Sequence, residues 1–334
     1  MVEPLRIGIL GAARITELAL IKPAGRTDTK IVMIAARDRS RAEAFAAKYH
    51  IPKVVDSYDE VINSDEIEAI YNPLPNSLHG PWNRLALAAG KHVLSEKPSA
   101  ANARDAQDTL LAAERASGVQ FFEGYHYRYH PVIARLHEIV ASGEIGTVQQ
   151  VESVMDMPAP DASDPRWSLE LAGGALMDLG CYSLHSHRIL APLLGGEPAL
   201  VDAKGGERDG HPGVDEWLTA ELRFPNGATG QASCNMASPT RQMSHRIIGD
   251  QGEAIIPEYI NVHEDDRVIV KTGEGTRTEH LGNKSSYTHQ LEAFTRAVRT
   301  GRPAPTDAAD ALATMRLIDG CYQAIGLQPR PCHH

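Results

Sequence analysis

The sequence predicts an α/β protein of two domains: a doubly wound parallel sheet in residues 1–125, and an α+β domain with a large open, mostly antiparallel sheet in residues 126–334. Three observations support this prediction. The chain has 334 residues, which is longer than one hydrophobic core usually supports. Short apolar runs alternate with helical periods through residue 125. After about residue 146, longer and partly alternating runs replace them.

The predicted strands of the first domain are short, apolar and largely unalternated, as expected for parallel strands covered on both faces. They lie at residues 5–10, 30–36, 67–72, 92–95 and 119–124. The helical segments between them carry local start and stop signals, with Asp38 and Asn102 as N-caps and Gly90 as a C-terminal stop. Repeated βα units of this kind indicate a doubly wound sheet.

The second domain has longer segments whose apolar residues partly alternate, which is typical of an antiparallel sheet with one buried face. They lie at residues 147–157, 215–224, 228–236, 241–249 and 253–260. The turns PNG at 225–227 and DQG at 250–252 predict hairpins, and helices are predicted at 286–299 and 307–325. Because the other face of such a sheet is available to a partner, we expect a homo-oligomer that associates through it.

Composition and charge argue against several classes of partner. Lys and Arg number 33 against 43 Asp and Glu, a formal net charge of −10, and no basic block stands out. Nucleic acids and anionic membranes need a basic face, so neither is an expected partner. No stretch is apolar over a bilayer-spanning length, and the N-terminus lacks signal-peptide features. The four cysteines are far apart, without a C-x-x-C pair, which favours reduced thiols and a cytoplasmic location.

The segment GAARIT follows the first predicted strand and opens a helix. Gly11 takes the first position of a G-x-G-x-x-G turn, and Ala13 and Thr16 replace its second and third glycines. In such a turn the backbone approaches a pyrophosphate at the start of the helix. We therefore expect Gly11, Ala13, Arg14 and Ile15 to bind a dinucleotide. The alternative is a plain structural turn, since any strand-to-helix connection can contain one glycine.

The end of the second predicted strand indicates which dinucleotide would bind. Enzymes that use NAD usually place an acid there against the ribose diol, and this sequence has Ala36. The guanidinium of Arg37 can instead form a fork onto a 2′-phosphate, and Arg39 or Arg41 can add positive potential. Asp38 is interpreted as the helix cap. This segment predicts NADP as the cofactor, with NAD possible.

The stretch Glu96-Lys97-Pro98 follows an apolar strand at its carboxyl end, the edge of an open α/β sheet where ligands bind. An ammonium held there can reach both a nicotinamide carboxamide and a substrate hydroxyl. Glu96 can orient the lysine, and Pro98 fixes the geometry of the turn. A surface ion pair beside a turn is the alternative reading.

Four segments occur together in one order and spacing: YNPLPNSLHGPW, GKHVLSEKP, GYHYRYHP and AGGALMDLGCYSLH. With them the sequence resembles the Gfo/Idh/MocA oxidoreductase family over nearly its whole length. It is most similar to the branch of dimeric dihydrodiol dehydrogenases and NADP-dependent D-xylose dehydrogenases. The resemblance implies a Rossmann domain and a sugar or cyclic vicinal diol as substrate. Ala13 and Thr16 in the glycine turn depart from the commoner pattern of the family.

The resemblance also implies roles for individual residues. Lys97 would contact nicotinamide and substrate, and the D-x-G-x-Y element would supply Asp178 and the acid/base Tyr182. Asn76 and His79, after the strand that ends near residue 72, would line the nicotinamide ribose.

Several further residues would face the substrate cleft. They are Arg128, Arg166, Trp167 and His185. His185 lies three residues after Tyr182 and is either a relay partner or a satisfied cleft histidine. The pairs His126 and His130, and His185 and His187, could in principle bind a metal. No metal is expected, because no acidic or cysteine partner lies at ligand spacing.

These observations predict an NADP-dependent oxidoreductase that moves a hydride between nicotinamide and a sugar or cyclic vicinal diol. Two alternatives share the fold. One is an NAD-assisted glycosidase, which retains its cofactor through the cycle. The other is a non-catalytic sugar-sensing regulator, which should lack working catalytic residues, whereas Lys97 and Tyr182 are both present.

Overall fold

A computed structural model describes residues 3–332 of the chain. The chain forms two compact units. The first contains the residues up to Tyr125, the segment Tyr287–Ala313 and Cys332, and the second contains His126–Ser286 and Thr314–Pro331. The predicted domains were two consecutive stretches, 1–125 and 126–334. The first unit also contains Tyr287–Ala313, a segment from late in the sequence.

The first unit is built on a six-stranded parallel sheet. Its strands are β1 (Leu5–Leu10), β2 (Thr29–Ala35), β3 (Lys53–Val54), β4 (Ala69–Asn72), β5 (His92–Ser95) and β6 (Phe121–Glu123). Their order is β3-β2-β1-β4-β5-β6, which is the doubly wound order with its reversal between β1 and β4. This sheet confirms the predicted Rossmann fold. The two-residue strand β3 was not predicted because it is too short to produce a periodic pattern.

Helices cover both faces of this sheet. They are a π-helical turn (Glu17–Ile21) that continues into α1 (Lys22–Ala24), then α2 (Arg39–Tyr49), α3 (Tyr58–Ile62), α4 (Asn76–Ala88) and α5 (Ala103–Arg115). Asp38 caps α2 by accepting from the Ser40 amide, as its position predicts. The helical pattern that begins at Pro81 suggests a later start for α4, but this helix begins five residues earlier and contains the proline. The earlier start places Asn76 and His79 on the helix.

Up to residue 193, the second unit contains two helices and several short helical turns, on either side of the first strand of its main sheet. They are the 3-10 turn His126–Tyr129, α6 (Pro131–Ala141), the 3-10 turn Pro165–Trp167, the π-helical turn Leu176–Gly180, α7 (Cys181–Arg188) and the 3-10 turn Ala191–Leu193.

An eight-stranded sheet forms the rest of this unit. Its strands are β7 (Val148–Asp156), β8 (Ala199–Arg208), β9 (His211–Arg223), β10 (Thr229–Asn235), β11 (Gln242–Gly249), β12 (Gly252–Ile256), β13 (Arg267–Thr272) and β14 (Gly275–His280). Their order is β14-β13-β12-β11-β7-β10-β9-β8. The β7–β10 pair is parallel and the others are antiparallel, so the sheet is mostly antiparallel as predicted.

One face of this sheet packs on α7. Along β7, Val151, Ser153 and Met155 are buried, and the alternate residues are partly exposed. The Ser153 hydroxyl donates to the Ser183 carbonyl (3.2 Å), and the His187 ring bonds to the Val151 carbonyl (3.1 Å). Helix α7 is therefore fixed to the middle of the sheet.

The last two helices are α8 (Ser286–Thr300) and α9 (Ala308–Ala324). Most of α8 belongs to the first unit because its buried face packs there. Phe294 meets Phe122 edge to face at 5.1 Å, and the Arg299 guanidinium bonds to the Glu68 carboxylate (2.6 Å). No helix within residues 3–332 is both long and apolar enough to cross a bilayer.

Candidate active site

The turn after β1 is fixed by one glycine and by backbone hydrogen bonds. Gly11 has φ 97°, and a Cβ there would lie 3.0 Å from the Leu74 side chain, so glycine is required. The Gly11 amide donates to the Ala35 carbonyl at the end of β2 (2.7 Å). The Ala13 and Ile15 carbonyls accept the first helical bonds, from the Thr16 and Leu18 amides. The chain thus turns directly into the helix, where backbone amides suit a pyrophosphate.

Two other residues complete this turn. Arg14 is exposed, whereas Thr16 is fully buried and occupies the place of the third glycine. The Thr16 hydroxyl has no hydrogen-bond partner within the described chain.

The segment after β2 presents basic groups next to this turn. Ala36 is half-buried and Arg37 is exposed. The Asp38 carboxylate accepts from both the amide and the hydroxyl of Ser40, so it is used as a helix cap. Arg41 donates to the Ala12 carbonyl within the glycine turn (3.2 Å).

Arg39 differs from its two basic neighbours. Its guanidinium pairs with Asp56 and with Glu43 (2.8 Å), so the side chain is held away from the glycine turn. Of the two arginines expected to add potential, Arg41 therefore lies at the turn and Arg39 does not.

The Glu96-Lys97-Pro98 turn follows β5 and is held from several sides. The Tyr71 hydroxyl donates to a Glu96 carboxylate oxygen (2.7 Å). The Glu123 carboxylate accepts from the Ser99 amide (2.6 Å). The Lys97–Pro98 peptide bond is cis. Glu96 is almost fully buried, so this segment is not a surface ion pair beside a turn.

Two asparagine side chains form hydrogen bonds around the same turn. Asn83 on α4 donates to the Ser95 hydroxyl (2.9 Å) and to the Ser99 carbonyl (3.2 Å), and it accepts from Asn72 (2.8 Å). Buried amides of this kind fix geometry because each unmade bond would leave a desolvated polar group. Sequence reasoning missed Asn72 and Asn83, although Asn72 lies in the YNPLPNSLHGPW segment and Asn83 directly follows it.

The side chain of His79 contacts a backbone carbonyl of the same turn. Its Nδ1 donates to the Pro98 carbonyl (2.7 Å), and its Nε2 is buried with no hydrogen-bond partner in residues 3–332. Burial lowers the pKa of His79 to about 4, so the ring is neutral at neutral pH. Asn76 is the first residue of α4 and is half-buried. His79 thus positions the residues around Lys97.

In the second unit, Asp178 and Tyr182 are carried by one continuous helical segment. Asp178 lies in the π-helical turn and Tyr182 in the first turn of α7. The Asp178 carboxylate pairs with the Arg166 Nε (2.9 Å). The Tyr182 ring is 5% exposed and lies 5.9 Å from the rings of His126 and Tyr127. The structure therefore brings Asp178 and Arg166 together and surrounds Tyr182 with aromatic rings.

The other residues expected in the substrate cleft have different environments. Trp167 is buried, with the Arg208 guanidinium 4.9 Å over its ring, and Arg128 is half-buried. His185 is fully buried and its Nδ1 bonds to the Tyr127 hydroxyl (2.6 Å). The Tyr127 ring therefore contacts both His185 and Tyr182.

The histidines considered as metal ligands have other partners. The His126 Nδ1 bonds to the Ser286 hydroxyl (2.8 Å), and the His130 Nδ1 accepts from the Val132 amide (3.2 Å). The His187 ring bonds to the Ser183 and Val151 carbonyls. Between Glu3 and Cys332, no three His, Cys, Asp or Glu side chains are grouped so as to hold a metal ion.

Two protein-family models match this chain, one within each unit. The oxidoreductase family with an NAD-binding Rossmann fold matches residues 5–125, and the Gfo/Idh/MocA C-terminal domain matches residues 133–255. This chain belongs to the Gfo/Idh/MocA oxidoreductase family. It is therefore an oxidoreductase whose first unit is a dinucleotide-binding Rossmann domain, and the resemblance found in its motifs is confirmed.

Individual relatives cover most of the chain. D-xylose 1-dehydrogenase (NADP(+)) 2 of Haloferax volcanii is 34% identical over 331 residues, which are 96% of this chain and 97% of the relative. Trans-1,2-dihydrobenzene-1,2-diol dehydrogenase of Mus musculus is 33% identical over 258 residues, 75% of this chain and 74% of the relative. The crystal structure of a 3-ketoreductase from Actinomadura kijaniata, with NADP and TDP-benzene, has a TM-score of 0.87 at 25% identity and covers 96% of this chain and 98% of that one.

Proposed function

We propose that this protein is an NADP-dependent dehydrogenase or reductase that moves a hydride between nicotinamide and a sugar or a cyclic vicinal diol. The observation that carries the proposal is the buried Glu96-Lys97-Pro98 turn at the carboxyl end of β5, held by Tyr71, Asn83 and Glu123. Buried polar groups that are hydrogen-bonded in this way fix the geometry of the turn that contains Lys97. Two of the relatives named above are a D-xylose dehydrogenase and a dihydrodiol dehydrogenase, which act on substrates of these classes.

The residues after β2 fit the 2′-phosphate of NADP. The residue at the end of the strand is the uncharged Ala36, and the Asp38 carboxylate accepts from the Ser40 amide and hydroxyl as a helix cap. Arg37 is exposed at this position, and Arg41 lies at the glycine turn. Two guanidinium groups near one phosphate favour NADP over NAD, whose ribose diol is uncharged.

Bound NADP⁺ would supply the hydride acceptor, and the protein would supply orientation and the proton acceptor. In this proposal Lys97 holds the substrate hydroxyl and Tyr182 takes its proton. A tyrosine hydroxyl has an ordinary pKa near 10, and the positive charge of a bound oxidised nicotinamide would favour the phenolate. Asp178, paired with Arg166, would position a substrate hydroxyl or Lys97 with its remaining acceptor capacity. Reduction of a ketosugar would use the same groups in the reverse direction.

A substrate screen tests the proposal. The purified protein is incubated with NADP⁺ and a panel of aldoses and trans-diols, or with NADPH and ketosugars, and NADPH absorbance is followed. We expect turnover with NADP, and its loss in Lys97→Ala. Release of p-nitrophenol from an aryl glycoside without consumption of added cofactor would identify an NAD-assisted glycosidase instead. Binding of a sugar with neither activity would identify a regulator.

We also propose that the protein is a cytoplasmic homo-oligomer. The partly exposed face of the eight-stranded sheet has a concavity of about 440 Å³ lined by Glu152, Val154, Arg246 and Ile255. Apolar and paired charged groups together on an exposed sheet face suit a self-complementary interface. The four cysteines are free thiols, which is consistent with a reducing compartment. Light scattering during gel filtration measures the oligomeric state.

A further inference from the structure

A buried ion pair joins β9 to the end of the chain. Asp215 and Arg330 are both almost fully buried, and their side chains are paired directly. Arg330 also donates to the Gly213 carbonyl (2.6 Å), and its guanidinium lies 3.9 Å over the Tyr322 ring. The Tyr322 hydroxyl donates to Asp215 Oδ1 (3.0 Å). Burying two charges is costly, and removing one partner would leave an uncompensated buried charge, so this pair is sensitive to substitution.

The geometry that this pair fixes is the start of the helical segment with Asp178 and Tyr182. Asp215 Oδ2 accepts from the Leu176 amide (2.6 Å), the first residue of the π-helical turn. The first amides of a helix lack internal partners, and a carboxylate there is also favoured by the helix dipole. Asp215 thus replaces the missing acceptor and fixes where the helical segment begins.

The loop before this helix is fitted to the same carboxylate. Gly174 has φ 125°, and a Cβ there would overlap Asp215. On its other side, the Gly174 amide donates to the Arg166 carbonyl (2.9 Å), and the Gly173 amide donates to the Ser168 carbonyl (2.8 Å). Since the Arg166 guanidinium pairs with Asp178, the loop connects both members of that pair to Asp215.

We propose that Asp215 and Arg330 are positioning residues that set the location of Asp178 and Tyr182. This inference rests on the proposed function for its effect on turnover, but its effect on the helical segment does not depend on that function. Asp215 acts through Leu176 and Gly174, and Arg330 acts through Asp215. Arg330, which is 115 residues away from Asp215 in the sequence, is therefore part of the support of this helical segment.

The test replaces Arg330 and measures two quantities. In Arg330→Gln, we expect amide hydrogen exchange in the segment 172–184 to rise roughly 10- to 100-fold, because an unpaired buried carboxylate no longer holds the helix start. We expect kcat to fall by about 10²-fold, since small displacements of reacting groups cost that much, while the KM for NADP is unchanged. Arg135→Gln is the matched control. It removes the Arg135–Glu279 pair (2.7 Å) of the same unit and should leave exchange in 172–184 unaltered.

A compensating variant distinguishes positioning from general stability. Asp215→Asn combined with Arg330→Gln keeps an acceptor for the Leu176 amide and removes both charges. It should recover most of the exchange protection and of kcat that Arg330→Gln loses. Tyr322→Phe removes one bond to Asp215 and should give a smaller effect in the same direction, which covers the case in which Arg330→Gln does not fold.

Two results would overturn the inference. One is wild-type exchange and kcat in Arg330→Gln. The other is an exchange increase spread evenly over the second unit, with no excess in 172–184. Hydrogen exchange is measured without substrate, so the two proposals can fail separately. If the proposed function were wrong, the wild-type protein would show no turnover, and Arg330→Gln would still raise exchange in residues 172–184.

Discussion

At the scale of single residues, Tyr182 is the group on which the proposed chemistry depends most directly. Tyr182→Phe removes one oxygen and leaves the ring that packs against His126 and Tyr127. We expect kcat to fall by about 10²–10⁴-fold, the usual contribution of a positioned acid or base, and the variant to remain folded. The rise of wild-type kcat with pH, as the phenol ionises, should also disappear. Steady-state kinetics over a range of pH measures both effects.

The matched control is Tyr259→Phe, which removes the hydroxyl of another buried tyrosine in the same unit. It should leave the pH profile of kcat unchanged. If Tyr182→Phe retained both rate and profile, the proton would have another acceptor, and His185 would be the next residue to replace.

A second prediction concerns the cofactor. The guanidinium of Arg37 is exposed after β2, whereas that of Arg39 is paired with Asp56 and Glu43. Charge-assisted hydrogen bonds contribute about 1.5–3 kcal/mol each. Arg37→Ala should therefore weaken NADP binding by about 10- to 10²-fold and leave NAD binding nearly unchanged. Isothermal titration with both cofactors measures this, and the effect should shrink with added salt.

Arg39→Ala is the control for this measurement. It also removes one positive charge, but from a side chain that is two residues after Arg37 and is already paired with carboxylates. It should leave the ratio of NADP to NAD affinity close to that of the wild type. Equal affinities for the two cofactors in the wild type would contradict the assignment of NADP.

At the scale of elements, the contact of α4 with the turn after β5 is the support of Lys97. Asn83 makes bonds to Ser95 and Ser99 from this helix. Asn83→Ala should lower the free energy of unfolding by about 1–3 kcal/mol, because it leaves buried partners unsatisfied. It should also lower kcat more than it raises the KM for NADP. Urea unfolding and steady-state kinetics test both expectations.

Asn63→Ala is a control on an exposed helix end, where the amide donates to the Asp59 carbonyl. This variant should change neither kcat nor stability by a comparable amount. A normal kcat in Asn83→Ala would show that the turn keeps its geometry without the asparagine.

At the scale of the whole molecule, buried neutral histidines make stability depend on pH. Burial lowers the pKa of His79 and His137 to about 4 and that of His245 to about 3. An unfolded chain would titrate these groups near 6.5, so below that pH the unfolded state binds more protons than the folded state. Stability should therefore be complete above about pH 7 and fall as the pH decreases from 6.5 towards 4, by about 1.4 kcal/mol per pH unit for each histidine.

Urea unfolding between pH 7.5 and pH 5 measures this dependence. His245→Phe should reduce its slope, because a buried ring remains without a group to protonate. His50→Asn, at an exposed helix end, should leave the slope unchanged. An unchanged slope in His245→Phe would mean that this histidine is not a source of the pH dependence.

Features with a local cause followed from the amino-acid pattern. Asp38 caps α2 because its own side chain reaches an amide two residues later. The hairpin turns at 225–227 and 250–252 connect β9 to β10 and β11 to β12 as their residue types require. The unalternated strands of the first unit reflect burial on both faces, which composition alone reveals.

Features that depend on distant partners required the tertiary structure. Polar strands such as β14 form because backbone groups pair with a neighbouring strand whatever the side chains are. Most of helix α8 belongs to the first unit because Phe294 packs against Phe122 there. Arg330 and Asp215 are separated by 115 residues, and no local period connects them. The motifs thus predicted Lys97 and Tyr182 as site residues, and only the long-range contacts showed which residues pack around the turn after β5 and around the start of the helical segment that contains Tyr182.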